Sequence, residues 1–243
     1  MRYGILSDVH GNLEALTVVL EKFASMDLDA YIFLGDAVGY GASPNEVCAL
    51  LRDKVKLSVL GNHDAAVAGR MDYADYYPAA RNALRWCSEN LEPSHMQWLK
   101  EMPYWIEYEQ IGLCHGLPFN AEAFEYMFNS EQIRPRLDEI RSLPAITFIG
   151  HSHLTVSFCI DGEKVTPLMD TIIECRPDAR YIITVGSVGQ PRDRDPRACC
   201  GVYDSEQSIF TYHRFEYDIH SARQKIIDAG LPTIFGDRLL MGT

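Results

Sequence analysis

The sequence predicts an α/β protein in which two packed sheets are flanked by helices. Three observations carry that prediction. The first third alternates short apolar runs with helix-like segments. A stretch rich in Ala, Tyr and Trp follows from about 65 to 102. The remainder is dominated by short β-rich runs separated by turn residues.

Tyr3 to Ser7 is short and apolar, fit for a buried strand. Asn12 can cap a helix running to about Met26, with Leu13, Leu16, Leu20 and Phe23 at helical spacing. Ala30 to Leu34 is a second buried strand. Ser43-Pro44-Asn45-Glu46 combines a cap residue, a proline at the first helical position and a Glu three after the cap, opening a helix that ends near Arg52. Val55 to Leu60 is a third strand. This alternation requires a parallel sheet with right-handed crossovers. Two or three helices are expected between Ala65 and Met102, then a pair of strands within Tyr104 to Cys114, a helix from Ser130 to Ser142 and a strand from Ala145 to Ile149. Strands follow at Thr155 to Ile160, Tyr181 to Val185, Ala198 to Tyr203 and Ile209 to Phe215. Asp218 can cap a last helix that stops at Gly230.

With 243 residues, 47% of them hydrophobic and 23% charged, the chain has the make-up of a globular protein. It is expected to be one domain over 1–243, with 65–102 as a helical insertion beside the active-site cleft. The net charge of −12 disfavours binding of nucleic acid through the phosphate backbone. It leaves phosphate substrates open, because carboxylates can hold cations. The seven cysteines are scattered, without a CxxC pair, which points to a reducing compartment. The opening residues lack the apolar stretch of a secretory signal, and no run is long enough to span a membrane. A soluble, cytoplasmic protein is the expectation.

The chemistry-bearing residues sit just after expected strands, where α/β sheets assemble ligand sites. They are Asp8 and His10, Asp36, Asn62 with His63 and Asp64, His115, and His151 with His153. Residues two apart on an extended chain share a face, so Asp8/His10 and His151/His153 can each present two ligand atoms to one volume. Asp36 can bridge two cations, Asn62 offers an amide oxygen, and His115 a further imidazole. Asp8, His10, Asp36, Asn62, His115, His151 and His153 are too many for one tetrahedral zinc and suit two metals with open positions. Two cations about 3.5–4 Å apart can activate a shared hydroxide and clamp the oxygens of a phosphoryl displacement. His63 is left over and can act as the general acid toward the leaving oxygen.

The order Asp-x-His, Gly-Asp, Gly-Asn-His-Asp, His-Gly, Gly-His-x-His resembles the calcineurin-like metallophosphoesterase superfamily. The opening Ser-Asp-Val-His-Gly-Asn-Leu and Gly186 to Asp193 look most like its small prokaryotic phosphoesterases. The resemblance implies a four-layer αββα sandwich of two mixed sheets and a binuclear centre. One ion would take Asp8, His10, Asp36 and His153; the other would take Asp36, Asn62, His115 and His151. His63 would contact the phosphate as general acid. The implied reaction is hydrolysis of a phosphomonoester or phosphodiester by a metal-bridging hydroxide. The implied cofactors are two divalent or transition-metal ions, manganese first, with iron, zinc, cobalt or nickel compatible. The substrate would be a small phosphate ester, a nucleotide among the candidates. Two alternatives are a catalytically silent metal-binding scaffold of the same fold and a nuclease. The complete ligand set speaks against the first, the net charge against the second.

The chain departs from the protein Ser/Thr phosphatase branch, whose motif is Gly-Asp-x-Val-Asp-Arg-Gly. Gly39 stands where that branch has the Asp that orients the catalytic His, and Tyr40 where it has a substrate-binding Arg. A phosphoprotein substrate is therefore not expected. His95, His213 and His220 are read as structural or solvated, and Asp64 as either a helix cap or an orienter of His63. Arg192, Arg194 and Arg197 could approach a substrate phosphate with their guanidinium forks, but Pro191 and Pro196 bracket the segment and it is read as a charged turn. Tyr73, Tyr76, Tyr77 and Trp86 are assigned to helix packing, Asn12 to capping and Cys114 to the core.

Overall fold

The computed structural model describes residues 1–243. The first sheet contains β1 (Arg2–Leu6), β2 (Ala30–Phe33), β3 (Leu57–Ser58), β9 (Ile172–Glu174), β11 (Ala198–Asp204) and β12 (Ile209–Phe215), ordered β3-β2-β1-β11-β12-β9. The second contains β4 (Trp105–Tyr108), β5 (Ile111–Cys114), β6 (Ile146–Ile149), β7 (Ser157–Asp161), β8 (Lys164–Leu168) and β10 (Arg180–Thr184), ordered β4-β5-β6-β10-β7-β8. Both are mixed. β1, β2 and β3 run parallel, as do β5, β6 and β10, and the remaining pairs are antiparallel.

Each central strand is apolar on both faces because both faces are covered. Tyr3 and Ile5 of β1 meet Tyr181 and Ile183 of β10 and Phe148 of β6 in the layer between the sheets. Leu6 faces outward onto α1 (Leu13–Ala24), α2 (Pro44–Lys54) and α3 (Asn62–Val67). On the other side, Ile182 and Ile149 pack under Ile133 and Ile140. The result is the expected sandwich of two mixed sheets with helices outside. α4 (Pro78–Asn90) and α5 (Pro93–Glu101) continue the first helical layer. α7 (Ile219–Asp228) and α8 (Ile234–Met241) pack on α4 around Phe235. No helix is long and apolar enough to cross a membrane.

Asn12 and Asp218 cap α1 and α7 as expected, but the Ser43 side chain makes no capping hydrogen bond. The third strand shrinks to Leu57–Ser58 at the sheet edge. The helix expected over Ser130 to Ser142 is broken into 3-10 turns at Ser130–Gln132 and Arg134–Arg136 and the short α6 (Leu137–Ile140). Pro135 has no N–H to carry a continuous helix through that point. β8, β9 and α8 lie where no element was expected. β8 is an edge strand whose Pro167 disguises it, a position where proline is tolerated.

Candidate metal centre

The seven candidate ligands come from both sheets and meet where the carboxyl ends of the parallel strands converge. Asp8 and His10 follow β1, Asp36 follows β2, and Asn62 opens α3. His115 follows β5, and His151 and His153 follow β6. All seven are buried, none more than 4% exposed. The pairs two apart do converge, but not as extended chain. They lie beyond the strand ends with left-handed backbones: Asp8 φ 54°, His10 φ 50°, His151 φ 66° and His153 φ 58°. Asp36 joins them at φ 61°. Such conformations cost non-glycine residues energy and persist where surrounding structure enforces them. Here the loops are sewn together: Asp8 N–H donates to Gly35 O (2.9 Å), His10 N–H to Asp36 O (2.9 Å) and Gly150 N–H to His115 O (2.9 Å).

Three imidazoles are oriented by backbone carbonyls. Nδ1 of His10 donates to Val38 O (3.0 Å), of His115 to Leu34 O (2.6 Å) and of His153 to Gln190 O (2.5 Å). A carbonyl can only accept, so Nδ1 carries a proton and Nε2 is the ring atom that turns inward, able to coordinate whenever it is unprotonated. The carboxylates follow the same rule. Asp8 Oδ2 accepts from His151 N–H (3.1 Å) and Asp36 Oδ1 from His63 N–H (2.8 Å). That leaves Asp8 Oδ1 and Asp36 Oδ2 for the centre.

These atoms crowd together. His10 Nε2 lies 3.2 Å from His153 Nε2 and 3.6 Å from Asp36 Oδ2. His153 Nε2 lies 3.2 Å from Asp8 Oδ1. His115 Nε2 lies 3.3 Å from Asp36 Oδ2 and 3.1 Å from Asn62 Oδ1. Asp8 Oδ1 and His151 Nε2 have no hydrogen-bond partner at all. Buried acceptors facing one another are costly unless a positive charge stands between them. The donor set of imidazole, carboxylate and amide oxygen therefore fits divalent or transition-metal cations.

The carboxylates and imidazoles also shift one another's proton affinity. Burial raises the Asp8 carboxyl, but His153 and His115 outweigh it and hold the group well below the usual range. Asp36 is likewise held low against burial, by His115 and His63. Burial opposes charge on His115, yet Asp36 and Asp8 lift it to about 9. Burial drives His10 and His151 well below their ordinary value.

His63 stands beside the cluster, its ring grouped with His10 and Asp36. It packs edge-on to His10 (4.8 Å between ring centres), Tyr40 (4.5 Å) and Tyr76 (5.9 Å). Burial pushes it down to about 4; Asp36 opposes this and Arg192 adds to it. Its Nδ1 has no partner. Asp64 makes no hydrogen bond to that ring. Its carboxyl accepts from the N–H groups of Asp36 (2.7 Å), Val38 (3.2 Å) and Gly61 (3.3 Å), so it ties the two loops together. Burial and Asp36 raise it to about 7.

Of two further neighbours, Tyr76 reads from the sequence as helix packing and Tyr126 carries no usable sequence signal. Tyr76 accepts a hydrogen bond from Asn62 Nδ2 (2.7 Å), which turns Asn62 Oδ1 toward His115. Tyr126 stacks on His151 at 3.7 Å between ring centres, and Phe128 stacks on Tyr126 at 5.1 Å. Both depend on folded-loop geometry rather than spacing. Tyr73 and Trp86 do pack against the helical core, as expected. His95 contacts Arg52 and Glu92, and His213 stacks on Phe215, both away from the centre. Cys114 lies in the core, and no cysteine forms a disulfide.

The sequence model described as calcineurin-like phosphoesterase matches residues 1–184. An uncharacterised protein of Methanocaldococcus jannaschii is 35% identical over 244 residues, covering 98% of this chain and 97% of that protein. The crystal structure of a metallophosphoesterase from Sphaerobacter thermophilus is 34% identical, with TM-score 0.85, covering 100% of this chain and 99% of that one. A hypothetical protein from Pyrococcus horikoshii shares the fold at 18% identity, TM-score 0.79 and coverage of 100% and 98%.

Proposed function

As the chain belongs to the calcineurin-like phosphoesterase family, we propose that it hydrolyses a small phosphate mono- or diester at a two-metal centre. The observation that carries this reading is the position of Asp36. Its free Oδ2 lies between His10 Nε2 (3.6 Å) and His115 Nε2 (3.3 Å), so one oxygen faces two donor sets. Asp8, His10, Asp36 and His153 would hold one ion, and Asp36, Asn62, His115 and His151 the other. When bound, the ions supply Lewis acidity toward phosphate oxygens and lower the pKa of water.

The chain's own groups do the rest. Carbonyl-anchored imidazoles keep their donor atoms fixed, so little reorganisation accompanies reaction. Tyr76 fixes the Asn62 amide, and the helical segment 65–102 that carries it would wall one side of the cleft. His63 donates a proton to the departing oxygen. With Nδ1 turned to Gly39, Nε2 is the atom left to carry it. A phosphoryl anion beside the ring opposes the push of burial and raises its proton affinity.

The test is hydrolysis of an aryl phosphomonoester and an aryl phosphodiester by protein loaded with Mn²⁺. Turnover of either supports the reading. Loss of both, with metal demonstrably bound, sinks it.

A further inference from the structure

Arg192 is a cation without an anion. Three arginines and two aspartates share the segment from Arg192 to Arg197, and both carboxylates are taken elsewhere. Asp193 pairs with Arg214, and Asp195 with Arg197. Arg192 has no carboxylate within salt-bridge distance. Its Nη2 donates to Gln190 Oε1 (3.0 Å), and its Nε is buried with no acceptor. A buried guanidinium donor left unmade is costly, and in a chain of net charge −12 anionic partners are not scarce.

Its position is fixed relative to the centre. The Arg192 N–H donates to His153 O (3.2 Å), and Gln190 O accepts from His153 Nδ1 (2.5 Å), so this backbone is pinned twice to a candidate ligand. The guanidinium lies over the Tyr40 ring, 5.8 Å from its centre. Tyr40 in turn packs on both His10 and His63. The cation also faces Tyr126: burial raises that phenol, and Arg192 pulls against it. Unlike the ligands beneath it, Arg192 is only half-buried.

Two divalent cations held by only two carboxylates would leave the centre positive, and Arg192 would add to that field. An arrangement of this sign next to an unpaired fork of donors is suited to a phosphoryl anion. Resting on the phosphoesterase reading above, we infer that Arg192 forms a phosphate-oxygen subsite, donating to non-bridging oxygens of the substrate and of the inorganic phosphate product.

Calorimetric titration of inorganic phosphate into Mn²⁺-loaded protein tests this. Arg192→Ala is expected to weaken phosphate binding about 10- to 100-fold, as charged hydrogen bonds of this kind do. Arg192→Lys should recover only part, because an ammonium is a point charge without the fork. Metal content and Tm should match the wild type in both, since no protein anion loses its partner. Equal phosphate affinity in wild type and Arg192→Ala overturns the subsite. So does absence of phosphate binding by the wild type, and so does loss of metal in the variant, which would make Arg192 a prop for His153. The two readings separate cleanly. Ester turnover with unchanged KM in Arg192→Ala removes the subsite and leaves the phosphoesterase standing. Arg192-dependent phosphate binding without turnover does the reverse.

Discussion

A Cβ added to Gly39 would collide with Nδ1 of His63. Gly39 also has φ +91°, a backbone that L side chains rarely adopt. No carboxylate orients His63; its ring is set by Tyr40, Tyr76 and His10 around it and by Gly39 against its Nδ1. Gly39→Ala is expected to displace the ring while leaving the ligands in place. A misplacement on the order of 1 Å costs about 100-fold in rate. Steady-state kcat should fall by that order with metal content unchanged, and Tm should fall as well, because the forced φ is strained by about 1–3 kcal/mol.

His63→Ala removes the proposed proton donor and leaves all seven candidate ligands in the chain, though His10 loses the ring packed edge-on to it. It should keep both ions, read by mass spectrometry of the purified protein, and lose about 10²- to 10⁴-fold in kcat. The loss should shrink for esters with strongly acidic leaving groups, which depart without help. Equal activity in variant and wild type on a poor leaving group would strip His63 of its role.

Asp36→Ala takes away the oxygen facing both donor sets and the acceptor of the His63 N–H (2.8 Å). Both ions should be lost. In the wild type, bound metal stabilises the folded state by mass action, so a chelator should lower Tm. Asp36→Ala should show no such shift, which a thermal scan with and without chelator reads directly.

The candidate ligands were legible in the sequence because they sit in short polar clusters rich in glycine, directly after apolar runs. Their convergence was legible only in part. The i, i+2 pairs pointed to extended chain, but Asp8 and His10 adopt left-handed backbones that no periodicity announces. Short buried strands such as β1 and β6 stood out because both faces are covered. β8 did not, since it is an edge strand holding Pro167. Tyr126 and the missing anion of Arg192 left no mark in the sequence for one reason. Their importance lies in what the folded loops set beside them, a stacked ligand for one and the want of an anion for the other.

Tyr76→Phe keeps the ring against His63 and deletes the acceptor of Asn62 Nδ2 (2.7 Å). The freed amide can rotate its oxygen away from His115. Loss of a group that orients a ligand typically costs about 10- to 100-fold in metal affinity. The effect should fall on one ion of the pair, so titration with limiting metal should show one tight and one weakened site. Two equally tight sites would mean that the hydroxyl does nothing for Asn62.

Phe148→Ala tests whether the layer between the sheets holds the centre together. Phe148 is fully buried and packs on Tyr203 (5.2 Å between ring centres) and Phe210 (5.4 Å), both from the opposite sheet. Truncation leaves a cavity and should cost about 3–5 kcal/mol, read as a lower denaturant midpoint with an unchanged slope. His151 lies three residues on, and its partners Asp8 and Asp36 belong to the other sheet. Ions held by ligands from both halves would bind only the native arrangement, so added metal should return part of the lost stability. A variant that regains nothing at saturating metal would show that Phe148 sets the spacing of the two ligand halves as well as the strength of the core.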